Sequence, residues 1–284
     1  MAKALLAGLL IGPLAPSLRA QADSISRSWN KPVAPFRIIG NVYYVGAAEV
    51  SSFLIVTSAG LIVLDGGFAE TAPQILDNIR ALGFEPRQVR ILLNSHAHYD
   101  HAGGLAALKR ATMALLYAGR GDSALLARGG KGDFFFGDRF QFPAVTVDRA
   151  VADGDRVVLG TDTLVAVATP GHTRGCTTWA MTVRDGNRSY AALFSCSLSI
   201  PGYQLRDDPP YPGIAKDYQA SIRRLQALPC DVLLAPHGSQ FGLPAKAERA
   251  RTTTGRSPFV DPNGCRVYLD QAARSLEDHL SDGR

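Results

Sequence analysis

Beyond its first twenty residues the chain has no apolar run long enough to span a bilayer as a helix, which argues against an integral helical membrane protein. Charge is sparse as well. Asp, Glu, Lys and Arg make up 19% of 284 residues, with a formal net charge of +5. Lys3 and Arg19 fall in a stretch expected to be removed, which leaves 5 − 2 = +3. That excess is too small to argue for nucleic acid or a membrane surface as partner. Cysteine is scarce, four in all, so a disulfide would be an accessory to a core drawn from 46% hydrophobic residues. Histidine is scarce too. There are six, yet three of them sit within six consecutive positions.

That stretch is Asn94-Ser95-His96-Ala97-His98-Tyr99-Asp100-His101-Ala102-Gly103-Gly104, led in by the apolar run Val89-Arg90-Ile91-Leu92-Leu93. Alternate residues of a strand share a face, so His96, His98 and Asp100 would point one way if the extension held. Imidazoles joined by a carboxylate suit zinc, and no thiolate lies among them. His172, in Pro-Gly-His-Thr, and His237, in Pro-His-Gly, also follow apolar runs that read as strands. Pro and Gly hold backbone stiff or tightly turned, which fixes ligand directions. His279, in a terminal helix, has no such setting and is assigned no role. Six candidate ligands are too many for one tetrahedral zinc with an open position; they fit two metals with three protein ligands each.

The start of the chain reads as an address. Lys3 gives a positive start, Ala4 to Leu18 is apolar, and Ala20-Gln21-Ala22 offers a small-x-small cleavage site. Residues 1–22 are expected to be a signal peptide and 23–284 one exported domain, with the periplasm as its location. Cysteines are compatible with that oxidising compartment. Cys230 and Cys265 are expected to pair and tie the final helix to the body, whereas the states of Cys176 and Cys196 stay open.

Strands are expected at Phe36–Ile39, Asn41–Val45, Ser52–Thr57 and Leu61–Leu64, rich in β-branched and aromatic residues and separated by glycines. A helix follows from Thr71, with Pro73 in its first turn and Ile75, Leu76, Ile79 and Leu82 on one face. Another covers roughly Gly104 to Arg110. Residues 120–143 read as one long loop whose phenylalanines either wall a substrate site or tuck into the core. The second half repeats the order: strands near 156–159, 163–167, 179–183 and 190–194, a helix capped by Asp217, a strand at 231–237 and a last helix from Cys265 to Leu280. Strands followed by alternation, twice over, imply an α/β protein of two packed sheets with helices outside.

His96-x-His98-x-Asp100-His101, with His172 and His237 following in order and approximate spacing, resembles the signature of the metallo-β-lactamase superfamily. That resemblance covers about Phe36 to the C-terminus and implies an αββα sandwich with the metals at one edge. It is less specific for the substrate, since thioester hydrolases and lactonases share it. Many relatives carry a bridging acid near Leu193-Phe194-Ser195-Cys196-Ser197; this chain has none, and Cys196 stands where many have Asp. Ser197 to Leu205, the all-His/Asp ligand set, the leader and the Cys230–Cys265 pairing resemble the third subclass of class B β-lactamases. By that resemblance His96, His98 and His172 hold one Zn2+, and Asp100, His101 and His237 hold a second. The implied activity is hydrolysis of the β-lactam amide of penicillins, cephalosporins and carbapenems by a zinc-bound hydroxide, which confers antibiotic resistance. In it Asp100 orients the nucleophile, Ser197 and Ser199 bind the substrate carboxylate, and Tyr203 donates to the developing oxyanion. The alternative is a thioester or lactone hydrolase on the same scaffold. A small molecule is the expected partner; the oligomeric state is left open.

Overall fold

The computed structural model describes residues 26–281. The expected signal peptide, residues 1–22, lies outside the described residues. Two sheets face one another. The first runs β1 (Phe36–Ile39), β2 (Val42–Tyr44), β3 (Phe53–Thr57), β4 (Gly60–Leu64), β5 (Val89–Leu93), β6 (Leu115–Gly119) and β7 (Arg149–Val151) in spatial as well as chain order. β1 to β4 pair antiparallel, as short glycine-bearing turns allow; β4 to β7 pair parallel and need crossovers. The second sheet has the order β12 (Val232–Leu234), β11 (Arg188–Phe194), β10 (Thr177–Asp185), β9 (Asp162–Ala168), β8 (Arg156–Leu159), antiparallel except for the β11–β12 pair.

The apolar runs explain the layering. Along β3, β4 and β5, Phe53, Ile55, Ile62, Leu64, Ile91 and Leu93 join the core shared with the second sheet. The residues between them, Leu54, Val63 and Leu92, join a separate core beneath α1 (Ala72–Ala81) and α3 (Leu105–Thr112), with Ile75, Ile79, Leu105 and Leu108. Side chains alternate faces, so a strand apolar at every position is buried on both. From the second sheet, Leu164, Ala166, Trp179, Val183 and Phe194 complete the inter-sheet core. α5 (Ile214–Gln226), α6 (Leu243–Thr252) and α7 (Pro262–Ser281) add Tyr218, Ile222, Leu225, Leu243, Leu269 and Leu276. The fold is an αββα sandwich. Among the described residues no helix is long and apolar enough to cross a membrane.

Three local expectations are corrected. Residues 120–143 are not one loop: a single tight helical turn over Arg120–Asp122 leads into α4 (Ser123–Ala127) before the aromatic stretch begins. Asp217 does not cap α5: the helix starts at Ile214 behind Gly213 at φ +82°, and the Asp217 carboxylate instead accepts from the Tyr211 hydroxyl. Extension does not hold through Asp100 either. His98 is extended, but the short helix α2 (Tyr99–Ala102) begins one residue later.

Register decides what meets at the edge. Leu64 and Leu93 are partners at the ends of parallel β4 and β5, so Asp65 emerges beside Asn94 and Ser95. Phe194 and Leu234 are partners in β11 and β12, so β12 delivers His237 just past the end of β11. The loop between β2 and β3 crosses to it: Ser51 donates its N–H to the Pro236 carbonyl at 2.8 Å, and Gly238 donates to that of Glu49 at 2.7 Å. Strand ends from both sheets therefore converge at one place.

Candidate metal centre

All six predicted ligands meet at that convergence. His96, His98, Asp100, His101 and His172 are buried, and His237 keeps a side-chain exposure of 16%. The break in extension at Tyr99 divides them. His96 and His98, on the extended segment, join His172 in a group whose ligand atoms all lie within 4.8 Å. His98 Nδ1 and His172 Nε2 are 3.0 Å apart. Asp100 and His101, carried round by α2, turn to the other side. Asp100 Oδ2 lies 3.3 Å from His101 Nε2 and 3.7 Å from His237 Nε2, and the two imidazole nitrogens are 3.4 Å apart. His96, Asp100 and His101 also group within 4.8 Å, so the two triads are neighbours.

This arrangement fits metal. Imidazole nitrogens face one another, and a neutral imidazole offers only one N–H to share. A cation satisfies such converging lone pairs, and the nitrogen and carboxylate donors suit zinc. Two buried nitrogens on the outer sides of the rings, His98 Nε2 and His101 Nδ1, have no hydrogen-bond partner.

Electrostatics follow from burial and crowding. Burial, then the charges of neighbouring histidines, holds His96 and His172 well below the ordinary histidine value. Burial and the charge of His101 bring His237 down to about 4. Burial pushes Asp100 up, but the charge of His101, its hydrogen bond and His237 outweigh this and hold it below the usual carboxylate range. The same pairing raises His101 against its own burial. The histidines that lie low are thus ready to ligate as neutral imidazoles.

Behind the ligands lies a layer the sequence reading missed. Asp65 accepts Asn94 Nδ2 at 3.0 Å, Ser95 N–H at 2.7 Å and Ser95 Oγ at 2.6 Å. Ser95 Oγ touches His96 Nδ1 at 2.9 Å, and Asp65 Oδ2 lies 3.7 Å from His101 Nδ1. One carboxylate thus backs a ligand of each triad. Asp122 does the same for backbone, accepting from Ala97 N–H (3.0 Å), Thr173 Oγ1 (2.6 Å) and Gly175 N–H (2.7 Å). It ties the His96–His98 turn to the loop that carries His172. Burial pushes both carboxyls up against these hydrogen bonds. Sequence offered one signal only, Asp65 at a strand end before Gly66-Gly67. The close packing is real there: a Cβ on Gly104 would stand 2.1 Å from the Gly66 carbonyl oxygen.

The remaining predicted residues lie nearby, with different exposures. Ser199 is exposed, its Oγ 2.9 Å from that of buried Ser197, and its carbonyl meets His172 Nδ1 at 2.9 Å. Tyr203, expected to reach an oxyanion, is buried and donates its hydroxyl to the His172 carbonyl oxygen at 3.0 Å. Its proton is committed to the ligand-bearing loop, so in this placement it holds His172 rather than facing a reacting atom. Cys196 is not a thiol: it is bonded to Cys176, joining β11's end to the start of β10. Cys230 and Cys265 form the other disulfide, which ties the segment after α5 to α7. Phe136 stands edge-on to His98 at a centroid distance of 5.1 Å and is half-buried.

The profile of the metallo-beta-lactamase superfamily matches residues 45–237. Among solved structures, the chain is similar to BJP-1, a subclass B3 metallo-beta-lactamase of Bradyrhizobium japonicum. They are 41% identical with a TM-score of 0.83, over 90% of this chain and 96% of that one. It is similar also to native FEZ-1 metallo-beta-lactamase from Legionella gormanii, 40% identical with a TM-score of 0.87, over 89% of this chain and 98% of that one. A hydroxyacylglutathione hydrolase of Rhodospirillum rubrum is 28% identical over 172 residues, 61% of this chain and 54% of the relative. The chain spans about half the length of the first curated relatives it matches.

Proposed function

Because this chain belongs to the metallo-β-lactamase superfamily, we propose that it is an exported β-lactamase that works with two zinc ions. The observation that carries the reading is the breadth of likeness. Both named β-lactamase structures are about 40% identical across nine-tenths of this chain and nearly all of their own length. The hydroxyacylglutathione hydrolase is less alike over little more than half of its length. A six-donor site of imidazoles and one carboxylate, with all four cysteines in disulfides, supports zinc over thiolate-preferring metals. Two disulfides accord with export to the periplasm behind a signal peptide of residues 1–22.

His96, His98 and His172 would hold one ion, and Asp100, His101 and His237 the other. When bound, zinc supplies a Lewis acid and lowers the pKa of water to about 7. The chain's own residues do the rest. Asp100 stays ionised and turns one carboxylate oxygen toward His101 and His237, its partners in the second triad. The other oxygen accepts a hydrogen bond from the attacking water and orients it toward the lactam carbonyl. Ser199, on the rim beside His172, and Ser197 behind it donate to the carboxylate that penicillins, cephalosporins and carbapenems carry. Phe136 walls the first triad and meets apolar substituents of the substrate. Asp65, Asp122 and Tyr203 keep the ligands and their loops from moving. No covalent enzyme intermediate is involved, so serine-directed inhibitors fail.

The second reading is a thioester or lactone hydrolase, favoured by the acylglutathione hydrolase likeness. A panel of a penicillin, a cephalosporin, a carbapenem, a glutathione thioester and an acyl homoserine lactone separates the two. We expect kcat/KM for at least one β-lactam to exceed both other classes by about 100-fold, or near 3 kcal/mol in transition-state stabilisation. A thioester or lactone leading the panel overturns the β-lactamase reading.

A further inference from the structure

One acid of the aromatic loop between α4 and β7 has no part in the chemistry above. Asp133 is 8% exposed. Its Oδ1 accepts the backbone N–H groups of Phe135 and Phe136, each at 2.8 Å, and its own backbone pairs with Gly137 in both directions. This carboxylate therefore folds the loop that presents the aromatic wall. Its second oxygen, Oδ2, has no hydrogen-bond partner and lies 3.7 Å from His98 Nε2, which has none either. The opposite nitrogen of that ring, Nδ1, is the one that faces His172 in the three-histidine triad. The Phe136 ring stands edge-on to His98, and stands likewise against Tyr99 and Phe140. Two orphaned buried polar atoms facing each other form an uncompleted contact, each carrying the cost of desolvation.

Building on the metal-centre reading, we propose that Asp133 is a positioning residue that accepts the Nε2–H of His98 when Nδ1 ligates a metal. It thereby couples the aromatic wall to the three-histidine site. The chemistry requires such a partner. A neutral imidazole that gives its Nδ1 lone pair to a metal keeps its one proton on Nε2, and a carboxylate acceptor there fixes the tautomer and ring direction and strengthens the ligand. The present separation is about 1 Å longer than a charge-assisted hydrogen bond. Among the other candidate ligands, His96 and His172 have their outer nitrogens hydrogen-bonded by Ser95 Oγ and the Ser199 carbonyl, and those of His101 and His237 lie 3.7 Å from Asp65 and 4.0 Å from Glu49. None of those four belongs to the loop that forms the wall. A single carboxylate that holds both the wall and a ligand makes the loop's conformation and the occupancy of the site depend on one another.

The test is Asp133→Asn in the full exported chain. Asparagine keeps an oxygen for the Phe135 and Phe136 amides but replaces the free acceptor with an N–H donor. Zinc affinity of the three-histidine site, read by chelator competition, should fall about 10- to 100-fold, the usual effect of losing such a partner. In the cobalt-substituted parent, a solvent-exchangeable imidazole N–H resonance belonging to His98 should be present and slow to exchange; in the variant it should shift or broaden away while the other imidazole signals stay. Near-UV circular dichroism shows whether the variant keeps its packing, and the parent's exchange rate decides the question alone if it does not. Affinity within two-fold of the parent, or a freely exchanging His98 proton in the parent, overturns the proposal. A parent that binds no zinc overturns the metal centre and this inference together. A parent that binds zinc but spares every β-lactam sinks only the substrate reading.

Discussion

Asp100 is where the two triads touch, and its role is separable from theirs. It neighbours His101 and His237, while His98 and His172 face each other with no help from it. Asp100→Asn keeps the shape and removes the charge that lies against His101 and His237 and that, in the proposed mechanism, orients the water. We expect turnover to fall by at least about 10²-fold, the low end for a general acid–base group, with one zinc per chain still bound by the three histidines. Zinc analysis alongside kcat checks this; full activity, or loss of both ions, contradicts the assignment. The candidate ligands were legible in the sequence because histidine is rare in this chain and five of the six sit in Pro/Gly-flanked or motif positions. Asp65, Asp122, Asp133 and Glu49 were not. The chain has 25 acids, and what distinguishes these four is which loops tertiary packing brings to them.

At the scale of elements, strand existence followed from apolar runs, and boundaries failed where a turn lacked its usual residue. α3 ends at Thr112, and Met113 after it turns the chain at φ +62° with neither Gly nor Pro to announce it, so β6 is not legible in the sequence. The turn within the central motif was hidden for a similar reason: nothing in Ala97-His98-Tyr99 marks the passage from extended to helical backbone, yet that passage brings Asp100 beside His101 and His237. Between elements, surface pairs fix position modestly. Asp153, in the turn before β8, accepts Arg224 Nη1 of α5 at 2.6 Å and the Ala168 N–H at 3.0 Å. Its slight burial would raise it, but Arg224 and the backbone donors hold its carboxyl below the ordinary value. A carboxyl lower in the folded than in the unfolded chain stabilises above the unfolded value, about 3.9, and that contribution is lost as pH falls through the folded value. With both side chains over 40% exposed, the pair is worth at most about 1 kcal/mol after screening. Asp153→Asn should therefore lower Tm by about 1–3 °C at pH 7, and parent and variant should converge near pH 2. A difference that persists unchanged at pH 2 would mean the effect is packing, not charge.

The whole molecule places the site where two sheets end together, with the first sheet's β2–β3 loop reaching across to the His237 strand of the second. That convergence explains why candidate ligands spread over 142 positions (237 − 96 + 1) assemble at one edge of the sandwich. The sandwich itself was readable from the double run of strands and helices; the site's depth was not, because it comes from the pairing of the sheets rather than from any one segment. The central claim is that this assembled site, loaded with zinc, hydrolyses β-lactams, and hydrolysis of the chromogenic cephalosporin nitrocefin tests it most directly. Turnover should disappear when zinc is stripped by a chelator, return on adding zinc back, and be indifferent to a serine-directed inhibitor. A folded, zinc-loaded protein that leaves nitrocefin and every penicillin and carbapenem intact would contradict it.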